Sequence, residues 1–225
     1  MQLTVEQGRV IGCLVEKQLT TPQQYPLTLN ALVLACNQSS NRDPVVSYEQ
    51  GAVQRTLASL KEAGLVRFVY PSSGRSATRY RQVIDESLSL DEPGLALLAV
   101  LLLRGPQTAG ELRTRTERMA TFDGIADVNA ELERMAERAE PLVLRLQRRP
   151  GQKEERWVQL LTPDAPAIVD AFASAEGPQE RTGGHEPSDR TVNELGALVD
   201  DVAALRAEVS ALRAAVEQLQ ARTSP

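Results

Sequence analysis

Histidine occurs once in these 225 residues, at His185, and cysteine twice, at Cys13 and Cys36. A lone histidine in a Gly/Pro-rich stretch excludes a histidine-based triad and the common zinc sets. The cysteines are far apart in sequence, and each falls in an apolar helical pattern, where a free thiol behaves as a small hydrophobe. They supply neither a metal spacing nor a redox pair. Aromatic residues make up only 4% of the chain, and lysine appears three times against 22 arginines. Genome composition can produce that skew, so arginine abundance alone is no sign of DNA binding. Long hydrophobic runs are also missing. The longest, Leu95 to Leu103, is about half of the twenty or so apolar residues that a membrane span requires. The start, MQLTVEQGR, has no basic patch leading into an apolar segment, as a secretory signal would. These absences predict a cytoplasmic protein with no membrane contact, no cofactor, no metal and no catalytic residues.

What is present is ordinary for a folded chain: 42% apolar and 24% charged residues. The formal charge of −5 argues against a general polyanion binder. Its distribution is uneven. Residues 1–90 hold 9 basic and 7 acidic side chains, residues 91–163 hold 11 and 12, and residues 164–225 hold 5 and 11. The acidity therefore sits in the tail.

Thr4-Val5-Glu6-Gln7 has the form of a capping box, and Val10, Ile11, Leu14 and Val15 follow at helical spacing. Pro22 stops that helix. Thr28 is suited to cap a second one, with Leu29, Leu32, Val33 and Cys36 inward. After a polar connection, Asn37 to Val46, Ser47-Tyr48-Glu49-Gln50 opens a third helix with Val53, Leu57 and Leu60 on its inner face and Gly64 as a left-handed cap. Leu65 to Tyr70 and Thr78 to Val83 read as strands joined through Pro71-Ser72-Ser73-Gly74. Three helices and a hairpin are the order of a winged helix-turn-helix domain.

The order then recurs without close sequence repetition. Leu95 to Leu103 forms a helix, Thr108-Ala109-Gly110-Glu111 caps a short second one, and Val128, Leu132 and Met135 mark a third, spanning Asp127 to Glu140. Leu142 to Leu146 and Arg156 to Leu161 make a hairpin across Arg149-Pro150-Gly151-Gln152. The expected fold class is mainly α with small β-hairpin wings (α+β). Two tandem winged helix-turn-helix domains, 1–88 and 89–163, precede a linker, 164–190, and a coiled-coil helix, 191–222. In that last segment Leu195, Leu198, Val202, Leu205, Val209, Leu212, Val216 and Leu219 alternate spacings of 3 and 4. Valine at a with leucine at d favours two parallel strands, and Asp201 and Glu208 at g would meet Arg206 and Arg213 at e of a partner. The seam thus predicts a homodimer; an amphipathic helix packed on its own domain is the alternative.

Glu16-Lys17, Thr21-Pro22, Tyr25-Pro26-Leu27, Leu29-Asn30-Ala31-Leu32, Cys36-Asn37-Gln38 and Ser40-Asn41-Arg42-Asp43-Pro44 together resemble the signature of the YceH-like family of bacterial proteins. The likeness extends through Leu161, about seven tenths of the chain. It implies tandem winged-helix domains and brings no catalytic residues.

If DNA is the partner, the third helix enters the major groove and its polar side chains near the amino terminus meet base edges. Gln50, Gln54, Arg55 and Lys61 lie outside the apolar stripe, and glutamine suits adenine as arginine suits guanine. Any exposed helix face is also polar. In the wing, Arg67, Arg75, Arg79 and Arg81 are interleaved with Tyr70 and Tyr80, a pattern that favours a ridge of free guanidinium groups for phosphate contacts; a solvated hairpin with incidental arginines is the alternative. The connection from Asn37 to Val46 is longer than the three or four residues typical of this motif. Its Asn, Ser and Asp side chains can satisfy the backbone through local turns, or Asn41 and Arg42 can project toward a phosphate or partner. Glu131, Glu133, Glu137 and Glu140 in the second domain would repel a phosphate backbone, although its wing carries Arg145, Arg148, Arg149, Lys153 and Arg156. Trp157 reads as a core anchor. Two functions therefore stand: binding of double-stranded DNA as a regulator, or an adaptor whose domains bind an unidentified protein partner.

Overall fold

The computed structural model describes residues 1–71, 77–148, 152–163, 165 and 167–169. The chain divides into two compact units, 1–177 and 178–225, and every described residue lies in the first. Of the predicted linker, 164–190, only residues 165 and 167–169 are described; they are helical and Ala165 is buried, so the start of that segment packs as structure. The coiled-coil seam, Leu195 to Leu219, lies outside the described residues. What is described is mainly helical α+β with two small antiparallel sheets.

Helix α1 (Val5–Thr20) begins at the predicted capping box: the Thr4 hydroxyl accepts from Gln7 N while Gln7 Oε1 accepts from Thr4 N at 2.8 Å. A 3-10 turn at Pro22–Gln24 and a two-residue strand β1 (Leu27–Thr28) follow, and Thr28 caps α2 (Leu29–Cys36). Helix α3 (Gln50–Glu62) starts two residues later than a cap at Ser47 suggests, with Glu49 as an N-cap that makes no side-chain bond. The reason lies in the connection, where Asn37 uses its side-chain amide as a strand partner for Tyr48. Asn37 Nδ2 donates to Tyr48 O at 2.9 Å and Tyr48 N donates to Asn37 Oδ1 at 2.8 Å, so Tyr48 is committed before the helix opens. Gly64 ends α3 at φ 72°, with Leu65 N returning to Leu60 O and Gly64 N to Lys61 O, the two bonds of a Schellman cap.

Strands β2 (Val66–Val69) and β3 (Arg79–Gln82) form the expected hairpin, and β1 pairs with the free side of β3, giving the order β1-β3-β2. Neither β1 nor helix α4 (Ile84–Leu88) was legible in the sequence, since both are shorter than the periodicity they would need to declare themselves.

The second half repeats the plan. Helix α5 (Glu92–Arg104) is followed by α6 (Ala109–Thr116), whose capping box at Thr108 is present, by α7 (Ile125–Ala136), and by the paired strands β4 (Val143–Leu146) and β5 (Arg156–Gln159). Helix α7 stops short of the predicted Glu140 because Leu142 N bonds to Met135 O and turns the chain into β4. The correspondence reaches single residues. Gln107 bridges Trp157 just before Thr108, as Leu27 and Thr28 pair with β3 just before α2. Buried Gln82 and Gln159 each end the last strand of a half by folding an amide oxygen over the next backbone: Gln82 accepts from Ile84 N at 2.6 Å, and Gln159 from Leu161 N at 2.7 Å.

The halves share one continuous apolar core. Its axis is α5, buried on nearly all sides from Gly94 to Leu103, against which α1 lies directly. The approach is close because α1 carries glycine where α5 crosses it. A Cβ on Gly12 would stand 2.9 Å from Leu103 Cγ, and one on Gly8 would stand 2.8 Å from Thr162 Cγ2. Leu3 N also donates to Leu161 O at 2.7 Å, tying the start of the chain to the end of the second half.

Gly12→Ala is expected to lower stability by about 1–3 kcal/mol in urea denaturation, since a methyl group has no room without moving α5. By contrast Gly51→Ala, in exposed α3 where the new methyl meets only Arg55 Nη1 at 3.5 Å, is expected to raise stability by up to about 1 kcal/mol. A Gly12→Ala protein as stable as the parent would show that the helices do not depend on this contact.

Candidate nucleic-acid interface

Val53, Leu57 and Leu60 hold α3 to the core, so its opposite side is left to solvent. Gln50, Gln54, Arg55 and Lys61 are all exposed. Helical spacing places Gln50, Gln54 and Lys61 along one edge, with Arg55 turned away from Gln54 by about 100°. That edge borders the hairpin, because Lys61 Nζ stands 4.7 Å from the Phe68 ring centre and 3.3 Å from the Tyr70 hydroxyl. Gln50, Gln54 and Arg55 have no intramolecular partner among the described residues.

The wing differs from the ridge of free guanidinium groups that the sequence suggests. Arg67 pairs with Glu86 at 2.9 Å, Arg81 stands 3.7 Å from the same carboxylate, and Arg79 donates to Pro26 O at 2.8 Å. Arg75 lies outside the described residues. The carboxylate arrives on α4, the helix that was not predicted. These pairs are half exposed and contribute about 0–1 kcal/mol each, so a phosphate can compete for the same cations.

Arg42 requires a plain correction: it does not project from the connection but is enclosed by it. Its side chain is 0% exposed and makes a two-pronged pair with Glu16 on α1, Nη1 to Oε1 at 3.0 Å and Nη2 to Oε2 at 2.6 Å. Nε donates to Ala35 O, and further bonds reach Asn41 O and Gln38 Oε1. Five donors of a planar fork are thereby used inside the fold, which leaves none for a phosphate. Burial alone would raise the Glu16 carboxyl, but the hydrogen bonds and charge of Arg42, aided by Lys17 at 3.0 Å, hold it below the usual carboxylate range.

Asn41, at φ 59°, stays exposed, but its Oδ1 accepts from Arg104 Nη1 at 2.6 Å. Asp43 N donates to Leu103 O, and buried Arg9 donates to Pro44 O at 2.5 Å. The long polar connection is therefore a clasp gripping α1 and the end of α5: its residues are engaged inside the fold, through tertiary bonds and not through the local turns that the sequence suggests.

Structure also brings together what sequence separates. Cys13 on α1 and Cys36 on α2 are both free and fully buried, and the neighbouring Cys13 together with burial pushes the Cys36 thiol up. Their distance along the chain concealed this pair, and only the α1–α2 packing reveals it.

In the second half, acids and bases neutralise one another. Arg134 pairs with Glu131 and Asp91, and Arg145 pairs with Glu133 while lying over the Trp157 ring. Trp157 is buried as predicted, and Arg156 serves the α6 cap by reaching Glu111 at 2.9 Å. Arg149 lies outside the described residues. Among the described residues no helix is long and apolar enough to cross a membrane, and no group of three His, Cys, Asp or Glu side chains is placed to hold a metal ion.

A mainly helical chain of two like halves, clasped by residues of the Glu16–Pro44 stretch, is thus the structural form of the signature seen in the sequence. Residues 3–152 match the family described as protein of unknown function, DUF480, and the chain belongs to that family. It is similar to the UPF0502 protein of Geobacter metallireducens, with 54% identity over 153 residues, 68% of this chain and 69% of that one. Similarity to the UPF0502 protein of Pelobacter propionicus runs further, at 45% identity over 200 residues, 88% and 90% of the two chains. The UPF0502 protein of Pseudomonas aeruginosa is 47% identical over 174 residues, 76% of each.

Removing one partner of the enclosed pair strands the other charge, so Arg42→Met is expected to cost about 3–5 kcal/mol in chemical denaturation. Because the folded Glu16 pKa lies below its unfolded value of about 4.3, the stabilisation is complete above that pH and is lost as pH falls through the folded pKa. The stability gap between the parent and Glu16→Gln should therefore be widest near neutrality and close in acid. A gap that is constant from pH 7 to pH 3 would show that Glu16 is not ionised in the pair.

Proposed function

We propose that each half is a winged helix-turn-helix module and that the first binds double-stranded DNA, with α3 in the major groove and the β2–β3 hairpin against the backbone. The observation that carries this reading is the solvent-facing side of α3, where Gln50, Gln54 and Arg55 are exposed and unpartnered among the described residues. Side chains with no work inside the fold, of types that read adenine and guanine, stand on the element whose partner in this architecture is a base edge. Lys61, Arg79 and Arg81 lie alongside for phosphates. Arg42 takes no part, and Asn41 is committed to Arg104. The 3–4 spacing of Leu195 to Leu219 supports a parallel homodimer, which would present two such surfaces to a two-fold related site in a cytoplasmic regulator.

A second reading, an adaptor for another protein, is favoured by one observation: large apolar side chains of the same half stand in solvent, Leu34 at 65% and Tyr70 at 64% exposure. The acidic net charge agrees with it. No catalytic role is proposed.

Selection from a random-sequence DNA pool with the full chain, followed by anisotropy titration, separates these readings. An enriched motif, with affinity falling in salt by a log–log slope of about −0.9 per phosphate contacted, is expected. Arg55→Glu and Arg79→Glu should each weaken binding by about tenfold or more, while Arg113→Glu on α6, equal in charge change, should not. No enriched DNA together with a stoichiometric protein partner in cross-linking would replace the DNA reading with the adaptor.

A further inference from the structure

A cleft of about 100 Å³ opens where the two halves meet, and none of the functional residues proposed above explains it. Its walls come from α1 (Glu16, Thr20), the clasped connection (Asn41), the end of α5 (Arg104) and the region of α6 and its exit (Arg115, Arg118). The charge balance is one-sided. Glu16 is the only acid in the lining, and both of its oxygens are taken by Arg42, with Lys17 adding a further cation. The other nearby acid, Glu111, spends Oε2 on Thr108 N and Arg156 at 2.9 Å each, and approaches Arg115 Nη1 only to 3.8 Å. Arg115 Nη1 is consequently buried with no hydrogen-bond partner among the described residues. Arg118 is exposed and likewise unpartnered among them. Arg104 spends a donor on neutral Asn41, and burial together with the charge of Arg115 holds its guanidinium below the ordinary arginine value, with Asp43 and Glu111 only partly offsetting this.

Placement in the last turn of a helix accounts for Arg104 and Arg115 one at a time, through the helix dipole. It does not supply a partner for Arg115 Nη1, nor does it explain why three guanidinium groups converge on one hollow. An anion does both. The hollow is well below the roughly 300 Å³ at which pockets for drug-sized ligands begin, and it holds about three waters at roughly 30 Å³ each, a space suited to a single tetrahedral oxyanion. Three forked cations favour a doubly charged, multiply accepting group over a lone carboxylate.

We propose that this cleft binds a phosphate group, either inorganic phosphate or the phosphate end of a small ester whose remainder extends into solvent, held by Arg104, Arg115 and Arg118. Since the walls belong to both halves, the occupant strengthens their junction and stabilises the chain by linkage. The inference is independent of DNA binding, because none of the three arginines belongs to the α3 edge or the first hairpin.

The test is calorimetric and thermal titration of the full chain with sodium phosphate against sodium chloride at matched ionic strength. Saturable binding of one phosphate per chain, with a rise in melting temperature, is expected. Arg118→Gln, which removes no described contact, should weaken binding by about tenfold or more while leaving the phosphate-free melting temperature unchanged, and Arg115→Gln should weaken it similarly. Glycerol 3-phosphate as a second probe identifies the source: tighter binding than inorganic phosphate indicates an ester, and equal or weaker binding indicates the free ion. Heat and melting temperature indistinguishable from chloride, or equal affinity in parent and both variants, would overturn the proposal.

Discussion

The close crossing of α1 and α5 is the constraint on which the rest of this structure depends. Glycine at 8 and 12 lets the backbone of α1 come down onto Leu102, Leu103 and Thr162, and two small helix-and-hairpin halves thereby share a single core. With that contact in place, the carboxyl end of α5 lies against the amino-terminal half. Leu103 O then accepts from Asp43, and Arg104 meets Asn41. The unusually long connection between α2 and α3 becomes intelligible in these terms. It fastens one half to the other, and the side chains of Asn37, Gln38, Asn41 and Arg42 are engaged within the fold.

The Glu16–Arg42 pair is the electrostatic counterpart of that crossing. An arginine without solvent contact is tolerable only when its donors are met, and here a carboxylate, two backbone carbonyls and a glutamine amide meet them. Its loss from the list of exposed cations reduces the positive surface of the first half, and Glu86 reduces it further. The exposed and unpartnered polar side chains that the proposed DNA contact would use are concentrated on α3. In the proposed complex the electrostatic attraction would therefore be modest, and specificity would have to come from base contacts by a few side chains more than from a broad cationic face.

Several elements were legible because their signals are local. Thr4, Thr28 and Thr108 announce their helices through hydroxyl bonds three residues ahead, and Gly64 announces an end because φ 72° suits glycine. The stripes Val53-Leu57-Leu60 and Val128-Leu132-Met135 are buried as their spacing requires. Strand β1 and helix α4 were not legible, because two and five residues make too short a pattern. The start of α3 was misplaced because a capping motif at Ser47 competes with a bond from Asn37, ten residues upstream, that no local rule registers.

The candidate site divides along the same line. Sequence by itself determined which residues of α3 face outward, since the 3.6-residue period that buries Val53 leaves Gln54 and Arg55 exposed, and it determined that two halves share one plan. Only tertiary structure decided the fate of each charge: Arg42 drawn inside by Glu16, Arg67 and Arg81 met by Glu86, and Arg104, Arg115 and Arg118 gathered around one cleft. A side chain's exposure follows from the period of its own element, whereas its partner comes from wherever the chain returns, and that return was set by the packing of α1 on α5.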